Sequence, residues 1–236
     1  MNKKVGEAKI PALDRGLDLL EWMAALTEPV SLTQIAQGLQ LSVSEIQRPV
    51  ACLLRRGYLR RSDAGAYRLS GRIAGLAGAH PPHERLRQSA LGVMTEFARQ
   101  YRESIHLCVP DWDAAIVLMD VPGGGLVRLS LQEGARLESM KSVSGRILTA
   151  FGALTSVGLK KSAQAALKKI YNARFDSAAS SKVVGITDTG VPVFDSAGEI
   201  VAALTVSVLQ MMDDGKKKKN LLTALRDCAV RISEGL

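Results

Sequence analysis

Gln47 and Arg48 stand side by side in LSVSEIQRPVACLLRRGYLRR, residues 41–61. They are the two side chains best suited to reading a base edge, since Gln can give adenine, and Arg guanine, a pair of hydrogen bonds. The same stretch ends in Arg55, Arg56, Arg60 and Arg61, charges suited to phosphates. A second set of reactive types is scattered further on. Ser142 or Ser144, with His106 and Asp188, supplies the residue types of a hydrolytic triad, but no G-x-S-x-G elbow accompanies them. No P-loop is present, and Pro122-Gly123-Gly124-Gly125 lacks the strand-to-helix setting of a dinucleotide site. Cys52, Cys108 and Cys228 lie far apart, with no C-x-x-C or H-E-x-x-H spacing. No disulfide framework, metal or cofactor is therefore expected.

The elements that must position Gln47 and Arg48 follow from periodicity. Ala12–Leu26 places Leu13, Leu17, Leu20 and Met23 on one helical face, and Glu28-Pro29 stops it. Ser31–Leu39 is a second, shorter helix with Ile35, Ala36 and Leu39 inward. After a tight turn at Gln40-Leu41, Ser42 opens a third helix with Glu45 three residues on, an S-x-x-E capping box. Ile46, Val50, Leu53 and Leu54 form its inner face, and Gly57 ends it. Two short strands, Tyr58–Arg61 and Ala66–Ser70, are joined by Ser62-Asp63-Ala64-Gly65. Three short helices and a hairpin make a winged helix-turn-helix. In that motif the N-terminal residues of the third helix enter the major groove, here Ser42, Val43, Ser44, Gln47 and Arg48. Thr33 and Gln34 are placed for phosphates, and Arg60, Arg61 and Arg68 lie on the wing. Pro49 is an anomaly, seven residues past the N-cap. It removes the amide that would bond the Glu45 carbonyl, at a cost on the order of 3 kcal/mol, so a kink is expected near Glu45–Arg48.

Bulk properties agree with an anionic partner. The 236 residues carry a net charge of +8, and residues 1–80 hold eleven basic and seven acidic side chains, a net of +4. Hydrophobic residues make up 47% and aromatics 4%, so the core is expected to be aliphatic. No run approaches the ~18 apolar residues that a membrane helix needs, and no membrane partner is expected. The reading is a cytoplasmic protein.

Beyond residue 72 the pattern changes. His80-Pro81-Pro82-His83 interrupts the chain, and Glu84–Glu103 resumes as a long helix with Leu86, Leu91, Met94 and Phe97 inward. Strands are expected at Ser104–Val109, Ala114–Val121, Leu126–Leu131, Val183–Thr187, Gly190–Asp195 and Ile200–Leu209. Helices are expected at Ser142–Ala153, Ser162–Asn172 and Asn220–Leu236. This is an α+β domain with a mainly antiparallel sheet. The division is 10–72 for the winged helix-turn-helix DNA-binding domain, 73–103 for a linker region with its connecting helix, and 104–236 for the α+β domain.

The order ALDRGLDLLE, SLTQIAQGLQLSVSEIQR, LLRRGYLRR and AYRLS resembles the IclR family of bacterial transcriptional regulators. The resemblance continues through VSGRILTAF and VVGITDTGVPVFDSAGEIVAALTVSVL, so it covers the chain from about residue 11 onward. It departs at Pro49, where an apolar residue is usual, and at Ser180-Ser181-Lys182, where many members carry an acidic residue before the glycine. The resemblance implies a C-terminal sensor of PAS/GAF-like kind with a sheet-lined pocket. Met140, Ser142, Val143, Ser144 and Gly145 would form its floor, faced by Asp188, Thr205 and Ser207. It also implies a small organic-acid or aromatic effector, homodimers or homotetramers, and a repressor acting on a palindromic double-stranded operator. Hydroxyls and amides at a helix N-terminus suit a carboxylate, and Arg146 would add charge nearby. Alternatives stand beside these roles. Ser142 serves equally as an N-cap, Thr205 and Ser207 as ordinary strand residues, and His106 as a hydrogen-bonded core histidine. Asp120 and Asp195 read as turn residues, and Lys216–Lys219 as a solvated loop. The functional reading is a ligand-responsive DNA-binding regulator. The alternative is a hydrolase or other enzyme with an appended winged-helix interaction module.

Overall fold

The computed structural model describes residues 10–79, 83–125, 128–154, 158–181, 183–209 and 215–236. The chain divides into two compact units, 1–82 and 83–236. The first holds α1 (Pro11–Ala24), α2 (Leu32–Gly38), α3 (Val43–Arg55), the hairpin β1 (Leu59–Arg61) and β2 (Tyr67–Leu69), and α4 (Arg72–Ala79). Leu19, Met23, Ile35, Ala36, Ile46 and Val50 interlock the three helices over Leu59 and Tyr67. α2 and α3 each start on a serine whose N3 partner, Gln34 or Glu45, reaches back to the serine amide, at 2.8 and 2.9 Å. Gln40, at φ 55°, turns the chain between them. α3 runs without interruption through Pro49. α4 follows a segment expected to end the unit near Arg72, and its small residues carry too weak a period to announce it.

The second unit is a six-stranded sheet flanked by helices on both faces. Its elements are α5 (Glu84–Tyr101), β3 (Ser104–Asp111), β4 (Ala114–Val121), β5 (Arg136–Glu138), α6 (Val143–Ala150), α7 (Lys161–Ala173), β6 (Asp176–Ala179), β7 (Ile186–Phe194), β8 (Ile200–Leu209) and α8 (Gly215–Glu234). The strand order is β5-β4-β3-β8-β7-β6, with every neighbouring pair antiparallel. Alternation along the strands decides the layering. Ile105, Leu107, Leu204 and Val206 face α5 and α8, while Cys108, Ala203 and Val117 face α6 and α7. Among the described residues, no helix is long and apolar enough to cross a membrane.

Several expectations are revised. Leu126–Leu131 forms no strand over its described part, residues 128–131, and Leu126 and Val127 lie outside the described residues. The strands expected at Val183–Thr187 and Gly190–Asp195 are one, β7, because Gly190 continues the ladder opposite Thr205. β5 and β6 are short edge strands that carry no alternation long enough to read. Leu91 is 55% exposed rather than inward. Lys216–Lys219 belongs to α8 rather than to a loop, with its side chains outside the described residues.

Candidate functional site: a nucleic-acid reading head and a sheet-lined cavity

In the first unit, Val43, Ser44, Gln47 and Arg48 are all exposed on one flank of α3, while Ile46 and Val50 on the other flank are buried. Positions i and i+4 superimpose along a helix, so Val43 lies over Gln47 and Ser44 over Arg48. The start of α3 is fixed from three sides. The Glu45 carboxylate accepts from the Ser42 amide at 2.9 Å and from the Ser42 hydroxyl at 2.7 Å, and Arg15 of α1 donates to its other oxygen at 2.8 Å. The Ser42 amide and hydroxyl, then the Arg15 charge, hold this carboxyl below the usual range. Arg15 was not singled out in the sequence, because nothing local shows that α1 passes the start of α3. Thr33 is exposed at the start of α2. Gln34 is exposed too, but its carbonyl oxygen is engaged as the cap of its own helix.

On the wing, Arg60 and Arg68 face each other directly across the two strands, both exposed. Like charges in that position destabilise a hairpin, and an anionic partner would relieve the repulsion. Arg61 lies over the Tyr67 ring at 5.5 Å, and Arg72 over Tyr58 at 5.4 Å, so the hairpin base is bound to its aromatics.

In the second unit a cavity of about 330 Å³ opens between the sheet and the start of α6. Its floor is a polar row across the strands. Asp120 on β4 pairs with His106 on β3, which pairs with Thr205 on β8, and Ser207 of β8 pairs with Asp188 on β7. Ser144 comes down from α6, with its hydroxyl 2.9 Å from that of Thr205 and 3.5 Å from His106 Nε2. All three are buried. Burial lowers the His106 pKa to about 4, leaving a neutral imidazole at neutral pH. The Ser207 hydroxyl donates to Asp188 at 2.6 Å, and that of Ser130 to Asp120 at 2.7 Å. Desolvation raises both carboxyls above the ordinary value, against the lowering by those hydroxyls, by the Leu131 amide at Asp120 and by the Arg146 charge at Asp188.

Ser142, Val143, Ser144, Asp188, Thr205 and Ser207 all line this cavity. Ser142 is also the N-cap of α6, accepting from the Gly145 amide at 3.0 Å. Met140 and Gly145 lie behind the wall instead. Gly145 lets α6 seat on the Ser139 backbone, since a Cβ there would come 2.5 Å from the Ser139 carbonyl oxygen. Arg146 turns away, donating from Nε to Asp176 at 2.7 Å. Asp120, Ser130, Glu138 and Lys141 also line the cavity. Asp120 was readable only through the β3–β4 register, which a bulge at Leu107/Cys108 displaces. The hydrolytic set is only partly assembled: Ser144 and His106 meet at 3.5 Å, but the hydrogen bond of Asp188 goes to Ser207 rather than to His106, and Ser142 caps a helix.

The chain matches the profile of the IclR helix-turn-helix domain over residues 12–63 and that of the bacterial transcriptional regulator IclR C-terminal domain over residues 82–234. It is 25% identical to a glycerol operon regulatory protein of Streptomyces coelicolor, covering 96% of each chain. It is 24% identical to the transcriptional repressor IclR of Escherichia coli over 60% of this chain and 53% of that one. Among solved structures, it resembles an IclR homologue from Microbacterium hydrocarbonoxydans complexed with 4-hydroxybenzoate. That likeness has a TM-score of 0.77 and 25% identity, covering 95% of this chain and 98% of the other.

Proposed function

The chain belongs to the IclR family of bacterial transcriptional regulators, and from that premise we propose that it is a cytoplasmic repressor whose grip on a palindromic operator changes when a small molecule enters the cavity under α6. It is a DNA-binding regulator and not an enzyme, as its family is. The observation that carries the reading is the exposed quartet Val43, Ser44, Gln47 and Arg48 at the capped start of α3, beside the facing arginines of the wing. Thr33 and the α2 amides hold phosphate, Gln47 and Arg48 read bases, and Arg60, Arg61 and Arg68 follow the adjacent backbone. One such head covers few base pairs, so two copies, as a dimer or within a tetramer, read two half-sites related by a two-fold axis. The relative complexed with 4-hydroxybenzoate supports a small-molecule effector, and the cavity under α6 is the enclosed space assigned to it. The ligand acts by binding the DNA-competent and DNA-incompetent arrangements with different affinity.

Selection of duplexes from a random pool by the purified protein tests this. Enrichment of a two-fold symmetric sequence, lost in Arg48→Ala, is the expected result. A pool that stays unenriched contradicts it.

A further inference from the structure

Trp112 is the first of the two residues that join β3 to β4, and the fold accounts for neither its backbone nor its side chain. Asp111 pairs with Ala114 across the loop, and Trp112 takes the left-handed conformation, at φ 56°. That place suits Gly or Asn and strains a bulky residue. The side chain is 91% exposed, so the fold gains almost no packing from it, in a chain with only 4% aromatics. Asp111 and Asp113 flank it, both exposed. They share the guanidinium of Arg136, at 3.4 and 2.5 Å, which leaves the tip one net negative charge.

The same end of the sheet carries a surface of matching chemistry. β3 ends beside the start of β8, and Ile200 at that start pairs with Phe194 at the end of β7. The ends of β3 and β7 are therefore two strand spacings, about 10 Å, apart. Between the end of α7, β7 and the last turns of α8 opens a cleft of about 770 Å³, walled by Val191, Pro192, Phe194 and Val230. Val230 is 57% exposed. Arg174 lies over the Phe194 ring at 4.6 Å, and Arg226 lies over Phe175 at 5.4 Å and donates to the Ala173 carbonyl. Both arginines line the cleft, and Glu234 is the one acid among its described lining residues, leaving one net positive charge. Phe151 and Tyr171 continue the aromatic surface, with ring centroids 4.9 Å apart and Phe151 5.3 Å from Phe194.

We infer that this end of the second unit is an interface with a second copy of the chain, in which the acid-flanked Trp112 of each copy seats in the Arg174–Arg226 cleft of the other. The inference goes beyond the regulator reading, which needs two copies but names no contact between them. A two-fold pair uses one surface twice, so that surface must hold both a projection and its receptor. Here both stand at one end of one sheet, with opposite net charge. An unrelated partner would have to bring a pocket for the indole and an acid for the arginines at the same spacing, whereas a second copy brings both. Trp and Arg are also the side chains that most often carry an interface, and a guanidinium stacks well on an indole.

Sedimentation velocity on the full-length protein over a concentration series tests this. The parent is expected to associate reversibly, and Trp112→Ser and Val230→Glu each to weaken one association step by tenfold or more. Both side chains are exposed in the single copy, so both variants should keep the fold, which circular dichroism checks. A parent that stays monomeric throughout, or variants that associate as the parent does, overturns the inference. A loss in Trp112→Ser that Val230→Glu does not reproduce also overturns it, because the indole would then seat on another surface or another partner. Tryptophan emission gives a direct readout: it is expected to move to shorter wavelength as the parent associates, and to stay fixed in Trp112→Ser. Emission that never moves while the parent associates overturns the inference too. None of these outcomes decides the DNA reading, which the selection from random duplexes tests on its own.

Discussion

Arg48 and His106 make opposite demands on their surroundings. Arg48 is exposed in the first half of α3. If it makes a bidentate base contact, Arg48→Ala weakens binding to the selected site by ~1–3 kcal/mol and to scrambled DNA far less; equal losses in a fluorescence-anisotropy titration would reduce it to a phosphate contact. His106 is 4% exposed and stays neutral down to about pH 4, against an ordinary value of 6.5. Its folded pKa is depressed, so its contribution is complete above pH 6.5 and is lost as pH falls toward 4, where the unfolded chain takes up a proton that the folded one refuses. The slope approaches ~1.4 kcal/mol per pH unit in that window. His106→Gln should flatten that limb in urea melts taken across it, and an unchanged limb would show that other groups carry the acid sensitivity. Both residues were visible in the sequence, but their surroundings were not equally so. The exposure of Arg48 follows from helical period alone. The bond of His106 to Ser144 joins a strand to a helix across 38 residues, and no local pattern encodes such a distance.

At the scale of elements, α3 and α6 each carry one residue that sets their placement. Pro49 sits within a continuous helix and withholds the amide that the Glu45 carbonyl would otherwise receive. Pro49→Leu should therefore raise stability by up to ~3 kcal/mol in chemical denaturation and alter affinity for the selected site; unchanged melting and binding would remove Pro49 from any role in placing the reading turn. Gly145 lets α6 lie against the Ser139 backbone. Gly145→Ala should cost ~1–3 kcal/mol, because backbone and not a flexible side chain must give way, and a melt within error of the parent would deny that close seating. The long elements were legible from period and caps: α1, α2, α3, α5, α7, β3, β4 and β8 each stand within a few residues of where apolar spacing puts them. The elements that were missed are short or weakly patterned. β5 and β6 have three and four residues at the sheet edges, and the cavity rim at 128–141, 180–181 and 183–185 is mostly irregular chain without a period to read.

The whole molecule comprises two units with separate cores, one reading DNA and one enclosing a cavity. The order of the units was legible because a helix-turn-helix with its wing is a local pattern, complete within about sixty residues. The boundary was less so. α5, expected as a connecting helix, contributes Leu86, Ala90, Met94 and Phe97 to the core of the second unit, since a helix with one buried stripe looks the same in sequence whichever core receives it. The central claim is sequence-specific recognition by the first unit. It is tested most directly by titrating the full-length protein against the DNA upstream of its own gene, and against a scrambled duplex, as salt is raised. The expected result is a preference for the upstream DNA that persists at salt concentrations where scrambled DNA no longer binds. Equal binding to both duplexes, lost together as salt rises, would contradict it and leave only electrostatic association.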